Sequence, residues 1–288
     1  MAVKSEWSVT EARTLTFDDG LIDELDVRVV NGAVNVVGTE GTAARVEIAD
    51  VAGPPLSVRL DGGSLTIAYD DLPWRDVLKW LDRKGRRRAA TVSVSIPSRS
   101  RLSVGVVGAS AVIGGVSGRT DVRGVSGSTT LVGLDGRVRA ETVSGDVEAQ
   151  ALGGRLTFST VAGNLTVIDS TPPGLKADSV SGDMVVDLAD GDAPADVRLN
   201  TVSGEIAVRL PESAGARVSA GTAGGVISSA FPELTVSGLW GARQLSGTLG
   251  TGAGAVHCST VSGPIALLRR PPAEPGPAAA ASPSRKDV

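Results

Sequence analysis

The residues of this chain that could do chemistry are few, and most belong to a repeated phrase. Val-Ser-Gly appears at Val116-Ser117-Gly118, Val125-Ser126-Gly127 and Val143-Ser144-Gly145, and it returns later at Val180, Val202 and Val261. Serine beside glycine is the setting of a nucleophile on a strand-to-helix elbow. That elbow needs Gly-x-Ser-x-Gly together with a base and an acid, and here the order differs. The one histidine, His257, is adjacent to the one cysteine, Cys258. Neighbours on a strand point to opposite faces, so these two form no dyad. One His and one Cys hold no transition metal. A calcium-binding nonapeptide keeps Asp in each unit, whereas these units carry Arg, Ser, Asp and Asn by turns. No glycine-rich stretch ends in the Lys-Ser/Thr of a phosphate loop. The expectation is no catalytic residue, no metal and no cofactor.

Two charged groups are candidates for binding. Arg119, Arg137 and Arg155 recur at a fixed step on alternate units. If units stack, these arginines lie about 5 Å apart, the strand spacing. Like charges that close repel, and an anionic partner relieves them. The plainer reading is a solvated face with ion pairs to Asp121, Asp135 and Glu141. The second group runs from Trp74 to Arg88. Its contact candidates are Trp74, Lys79, Trp80, Arg83, Lys84, Arg86, Arg87 and Arg88. Aromatics beside basic residues suit an anionic membrane surface or a protein partner. A cap over the end of a repeat core is the plainer reading. No groove with spaced aromatics points to nucleic acid.

The elements that would position these groups show in the spacing. An apolar residue followed two later by a small one falls at Val107, Val116, Val125, Leu134, Val143, Leu152 and Val161, nine residues apart. Beyond Val161 the step loosens through Val180, Val202, Ala223 and Val261. Counting that residue as position 1, positions 5 and 7 are apolar or Thr, and positions 4, 6 and 8 are mostly polar. Alternation places odd positions inward. The phrase then reads as Val in the core, Gly at a corner and Ser as a small filler. Thr142, Thr160, Ser179, Thr201, Thr222 and Thr260 each precede the apolar residue of a phrase. This longer period makes two units one coil.

These patterns predict an all-β fold. It is a parallel β-helix-like solenoid with strand units of about nine residues and coils of 18–22 residues. Short strands precede it, and Asn31-Gly32 predicts a hairpin in this N-terminal region. Trp74, Val77, Leu78 and Leu81 fall at helical spacing between Pro73 and Gly85, predicting one inserted amphipathic helix over about 73–85. Residues 1–268 read as a single β-strand-repeat domain, and the Pro/Ala-rich stretch 269–288 reads as a disordered tail.

Bulk composition narrows the function. Net charge is −4, too small to imply a polyanion partner for the whole molecule. One cysteine permits no intramolecular disulfide. There is no leader-like apolar stretch and no membrane-length apolar run, so a soluble cytoplasmic protein is expected. The outward acids Asp146, Asp183 and Glu205 are separated by a coil or more, unlike the paired carboxylates of a glycoside-cleaving site.

Several stretches resemble a known family. "LDVRVVNGAVNVVG", then "VSVSIP", then the serial "TVSGDVEA", "TVSGEIAV" and "TVSGPIAL" are similar to the bacterial β-strand-repeat domain family labelled "putative adhesin", also called toastrack. The resemblance spans roughly residues 7 to 268. It implies a β-helix-like domain, found fused to or encoded beside membrane and envelope-stress components, and it carries over no functional residue. The expected function is a non-enzymatic β-repeat interaction scaffold with a protein partner, working with an envelope-stress component or at the inner membrane surface. An exported adhesin or carbohydrate-binding solenoid is the alternative, and a carbohydrate-active enzyme stands behind both.

Overall fold

The computed structural model describes residues 4–17, 22–69, 88–191, 195–239 and 241–271. The N-terminal part holds β1 (Lys4–Val9), β2 (Arg13–Phe17), β3 (Glu24–Val29), β4 (Asn31–Thr39), β5 (Ala44–Ala52), β6 (Leu56–Asp61), β7 (Ser64–Ala68) and β8 (Ala89–Pro97). The middle holds β9 (Arg101–Val106), β10 (Ser110–Gly114), β11 (Thr120–Gly124), β12 (Thr129–Val132), β13 (Val138–Glu141), β14 (Val147–Gln150), β15 (Leu156–Ser159), β16 (Leu165–Ser170), β17 (Gly174–Asp178), β18 (Met184–Leu188), β19 (Asp196–Asn200) and β20 (Ile206–Leu210). The C-terminal part holds β21 (Ala216–Thr222), β22 (Ile227–Ser229), β23 (Thr235–Leu239), β24 (Ala242–Leu249), β25 (Gly254–Thr260) and β26 (Ile265–Arg269).

These strands build two large, mostly parallel sheets, one of 14 strands and one of 12. From β9 to β20, odd strands join the first sheet and even strands the second. The chain therefore crosses between sheets at every corner, and each pair of strands is one coil. Thr120 pairs with Val138, and Val138 with Leu156, so coils stack in register at eighteen residues. Positions 5 and 7 of the units are buried, among them Val138, Ala140, Leu156 and Phe158 at 0 % exposure. Short strands, β-branched cores and few aromatics suit so thin an interior.

The corners explain the repeated phrase, and they correct its expected reading. Val116, Leu134 and Leu152, at corners leading into the 14-stranded sheet, are buried as expected. At the other corner the valines are about half exposed, from Val202 at 46 % to Val261 at 53 %. The residue facing the core there is the preceding Thr, buried at Thr160, Thr201, Thr222 and Thr260. Its hydroxyl accepts the amide of the glycine three residues on, at 2.9 Å for Gly163 to Thr160 and 3.0 Å for Gly263 to Thr260. Serine is no filler either. Ser126, Ser144 and Ser203 donate to carbonyls of the neighbouring coil, at Val107, Val125 and Val180. The glycine is forced by close approach, since a Cβ on Gly204 would lie 2.0 Å from the Gly182 carbonyl oxygen. The sequence pattern could not separate the two corners because valine occupies both.

The fold expected from sequence needs three further corrections. First, Asn31-Gly32 makes no hairpin. β3 lies in the 14-stranded sheet and pairs with β7 and β9, while β4 lies in the other sheet and pairs with β8 and β10. A type I′ hairpin turn needs both central residues at positive φ. Gly32 is at 107°, but Asn31 is not among the positive-φ residues. Asn31 instead ties the corner to Arg88, whose carbonyl accepts both its side-chain and backbone N–H. Second, the described residues contain no helix. The all-β architecture is that of the described residues, and residues 73–85, where the inserted helix was expected, lie outside them.

Third, coils do not stack in chain order at either end. The β3/β4 coil lies between β7/β8 and β9/β10, and the β25/β26 coil lies between β19/β20 and β21/β22. Val261 N–H bonds to Val202 O, and Ala223 N–H to Val261 O, so the spatial order is 202, 261, 223. The long last step in the sequence is this return. Antiparallel strands finish both ends: β1 with β6, β2 with β5, and β24 with β21 and β23. At the N-terminal end Trp7 meets Phe17 edge-on at 5.5 Å, joining the two outermost strands. Arg269 and Arg270, assigned by sequence to the tail, are held. Arg269 lies over the Phe231 ring at 5.3 Å, and Arg270 N–H bonds to Leu210 O.

Replacing a corner Thr should hurt more than replacing the adjacent Val. Thr260→Val orphans the buried Gly263 amide and should cost about 1–3 kcal/mol. Val261→Ser, at a half-exposed site, should change stability by no more than about 0.5 kcal/mol. Urea unfolding of the two variants measures the difference, and equal losses would return valine to the core.

Candidate functional site

The outer face of the 14-stranded sheet gathers most of the candidate chemistry. Each strand there presents alternate residues, and exact stacking turns them into rows along the solenoid. The first row holds Arg101, Arg119, Arg137 and Arg155. Leu102 N–H bonds to Arg119 O at 2.8 Å, Thr120 N–H to Arg137 O at 2.9 Å, and Val138 N–H to Arg155 O at 2.8 Å. The structure thus brings the three sequence candidates side by side and adds Arg101, which lies below the first repeat counted in the sequence. Its signal was available, since Arg101 stands eighteen residues before Arg119.

Pairing along this face is uneven. Arg119 forms a fork on Asp121, with Nε at 2.8 Å and Nη2 at 3.1 Å. That hydrogen bond, then the Asp121 charge, raises the guanidinium pKa. In the other rows, Glu141 takes both Arg139 and Arg123. Burial pushes the Glu141 carboxyl up, but the bonds and charges of the two arginines outweigh it and hold it below the usual carboxylate range. Lys176 pairs with Asp178 at 3.2 Å, and Arg198 with Asp196 at 3.3 Å. Arg101, Arg137 and Arg155 have no ion-pair partner among the described residues. The plain expectation of local pairs holds for Arg119 alone among the three candidates, and neither Asp135 nor Glu141 reaches Arg137 or Arg155.

The row ends in a recess. Gly174 occupies the next place after Arg155, followed by Asp196. A Cβ on Gly174 would lie 2.5 Å from Arg155 Nη1, so the guanidinium rests over the bare backbone. The recess measures about 190 Å³ and is lined by Arg155, Thr157, Lys176, Asp196 and Arg198, among others. Two other recesses lie at corners, about 250 Å³ beside Pro172 and Pro211, and about 820 Å³ beside Asp23 and Arg99.

The opposite face spends its acids on structure. Asp146 Oδ1 accepts the Asn164 amide at 2.8 Å, Asn164 Oδ1 the Asp183 amide at 2.9 Å, and Asp183 Oδ1 the Glu205 amide at 2.8 Å. Each side chain caps the start of the next coil. The outward acids noted from sequence are links in this ladder, on an open sheet face.

One contact escaped the sequence. Ser219 Oγ lies 2.9 Å from His257 Nδ1, because the β25 coil slots beside β21 and brings together residues 38 apart. A serine nucleophile needs its base oriented by a third group. Among the described residues His257 has no other hydrogen bond. His257 is exposed and Cys258 fully buried, on opposite faces of the strand. Of the tryptophan and basic segment, Arg88 is described. It stacks on the Tyr69 ring at 6.0 Å. Trp74, Lys79, Trp80, Arg83, Lys84, Arg86 and Arg87 lie outside the described residues.

Two sheets of stacked parallel coils, with functional groups in surface rows, define the class as an all-β repeat domain. The Toastrack DUF4097 family model matches residues 8–268, and the chain belongs to that family. A search of curated proteins finds no match. Among solved structures, the chain is similar to a crystal structure described as a "putative cell adhesion protein" from Clostridium sporogenes. The two are 10% identical with a TM-score of 0.29, over 90% of this chain and 100% of the other. No helix among the described residues is long and apolar enough to cross a membrane.

Burial pushes the Cys258 thiol pKa up to about 12. The unfolded thiol ionises near pH 8.5, so its burial stabilises fully below that pH and the contribution fades as pH rises toward 12. The native thiol should resist a thiol-reactive disulfide reagent at pH 8 and react at once in denaturant, as followed by absorbance. Rapid native reaction would contradict the buried placement.

Proposed function

We propose that this domain is a non-enzymatic β-repeat interaction scaffold that meets its partner through the outer face of the 14-stranded sheet. The carrying observation is the contrast between corners and faces. Every serine of the repeated phrase described above is engaged in holding coils together. The uncommitted polar groups lie instead in rows on that sheet, ending with unpaired Arg137 and Arg155. A flat array of fixed, evenly spaced groups suits recognition better than covalent chemistry, which needs groups converging on one reacting atom. Family membership supports a β-repeat scaffold. Work beside an envelope-stress component, in the cytoplasm at the inner membrane surface, follows the resemblance and the basic segment near Arg88. Export as a surface or carbohydrate-binding solenoid is the second reading, favoured by the unpaired arginine row.

A photo-crosslinking residue at Thr157, on the proposed face, should capture a discrete protein adduct in cells. The same probe at Thr166, on the opposite face, should not. Equal capture at both positions, or none at Thr157, would sink the proposal. Flotation with anionic vesicles tests the membrane component, and loss of flotation on replacing Arg83, Lys84, Arg86 and Arg87 is the expected outcome.

A further inference from the structure

We infer that the arginine row and the recess at Gly174 form a binding track for a linear acidic polysaccharide, read by its carboxylates. This rests on the scaffold reading and names a ligand class for the same face.

The argument begins with a cost. Four arginines stand in consecutive, in-register strands, and like charges directly opposite each other destabilise a sheet. Asp121 neutralises one of them. The other cations of the face each touch a carboxylate: Arg123 and Arg139 share Glu141, Lys176 has Asp178, and Arg198 has Asp196, which lies in the arginine row beyond Gly174 as Glu24 lies in it beside Arg101. The chain as a whole is acidic, with net charge −4. The uncompensated charge is therefore a line along the solenoid axis and not a property of the face or the molecule.

A line selects among anions. A membrane presents a two-dimensional array and would meet the balanced rows as much as the arginines. Single-stranded nucleic acid is held by stacking on aromatics as well as by charge, and the outward rows from Arg101 to Arg198 contain no aromatic side chain. An extended acidic polysaccharide carries carboxylates at regular intervals along one line, as the arginines stand in line at the strand spacing of about 4.8 Å. Guanidinium forks pair with carboxylates two-pronged.

The recess adds position to charge. Gly174 removes the side chain where the row would continue. Arg155 lies over that gap, and Lys176 and Arg198 line it with Thr157. Asp196 closes the far side and already holds Arg198, and Asp178 holds Lys176, so the cation left to meet a carboxylate is Arg155. A sugar carboxylate seated over Gly174 would meet Arg155, and one two strand spacings along the chain, about 10 Å away, would meet Arg137.

Binding to polygalacturonate by purified full-length protein, followed by biolayer interferometry, tests this. Saturable binding that weakens as salt rises is expected. Arg137→Ala with Arg155→Ala should lower affinity roughly tenfold or more. Gly174→Ala, which keeps every charge but displaces the Arg155 guanidinium, should also weaken binding. Removing two exposed arginines elsewhere, Arg13→Ala with Arg45→Ala, should leave it unchanged, and thermal unfolding confirms that each variant is folded. Three results would overturn the inference: no saturable binding, equal weakening by the Arg13 and Arg45 changes, or equally tight binding of oligo(dT) or phosphatidylglycerol vesicles that is lost with the Arg137→Ala and Arg155→Ala changes. Crosslinking at Thr157 without polygalacturonate binding would overturn this inference while leaving the scaffold reading standing.

Discussion

Everything in this structure depends on backbone hydrogen bonding between coils in exact register. Each coil buries too little apolar surface to persist alone, and its strands become stable only between two neighbours. Register is therefore a condition that every corner must satisfy. The corner must return the chain one strand spacing along the axis while passing close beneath the previous coil. Gly204 shows the tolerance, with room for a hydrogen but none for a methyl over the Gly182 carbonyl. Thr201 bonds to the same carbonyl at 3.4 Å and accepts the Gly204 amide at 3.2 Å. A buried corner amide left unmet would cost its desolvation, about 1–3 kcal/mol and more than the hydrogen bond contributes net, and a Thr or Ser hydroxyl meets it at the corners from Thr142 onward.

The same condition creates an edge problem. A stack of parallel strands ends in two unpaired edges, which are open to association. Here the first and last full coils are drawn inside the stack, and antiparallel strands are laid outside them. The last strand, β26, is thereby paired on both sides, while β1 and β2 stand outermost at the other end. The arrangement demands long-range contacts before the ends become stable, since β25 must enter between strands that precede it in the chain. Contacts of such separation form late, because loop closure must precede their reward. The middle coils, which stack in chain order, are the natural place for the structure to begin.

This division accounts for what the sequence disclosed. Strand positions and most core residues were legible because alternation and the eighteen-residue register are local and repeated, as at Val138, Leu156 and Phe158. The valines were misread because a corner residue turned outward at Val143 looks identical in sequence to one turned inward at Val116. Asn31-Gly32 misled for a related reason. It is a good turn dipeptide, and which strand follows the turn is decided by distant partners, β9 and β10, that no local pattern names. The arginine row was half visible: its period could be read, but which members find a carboxylate depends on the side-chain geometry of Asp121 and Glu141. The Ser219 and His257 contact had no local signal at all, since it exists only because the last coil leaves chain order.

Separating corner from face also changes how variation in this chain should be weighed. At a corner, Ser, Gly and Thr are fixed by the coil beneath, and their recurrence says little about a ligand. On a face, a side chain is constrained only by its neighbours in the row, so a costly neighbour is informative. Asp146 and Asp183 are costly in charge, but each, like the neutral Asn164 between them, accepts a backbone amide of the next coil. Arg137 and Arg155 have no such local return, and the neighbouring glycine, Gly174, keeps the space above it for Arg155. A row of like charges, incompletely neutralised and ending in a gap, is the feature that folding alone does not require. That is the physical ground for placing function on the sheet face and not in the serine phrase.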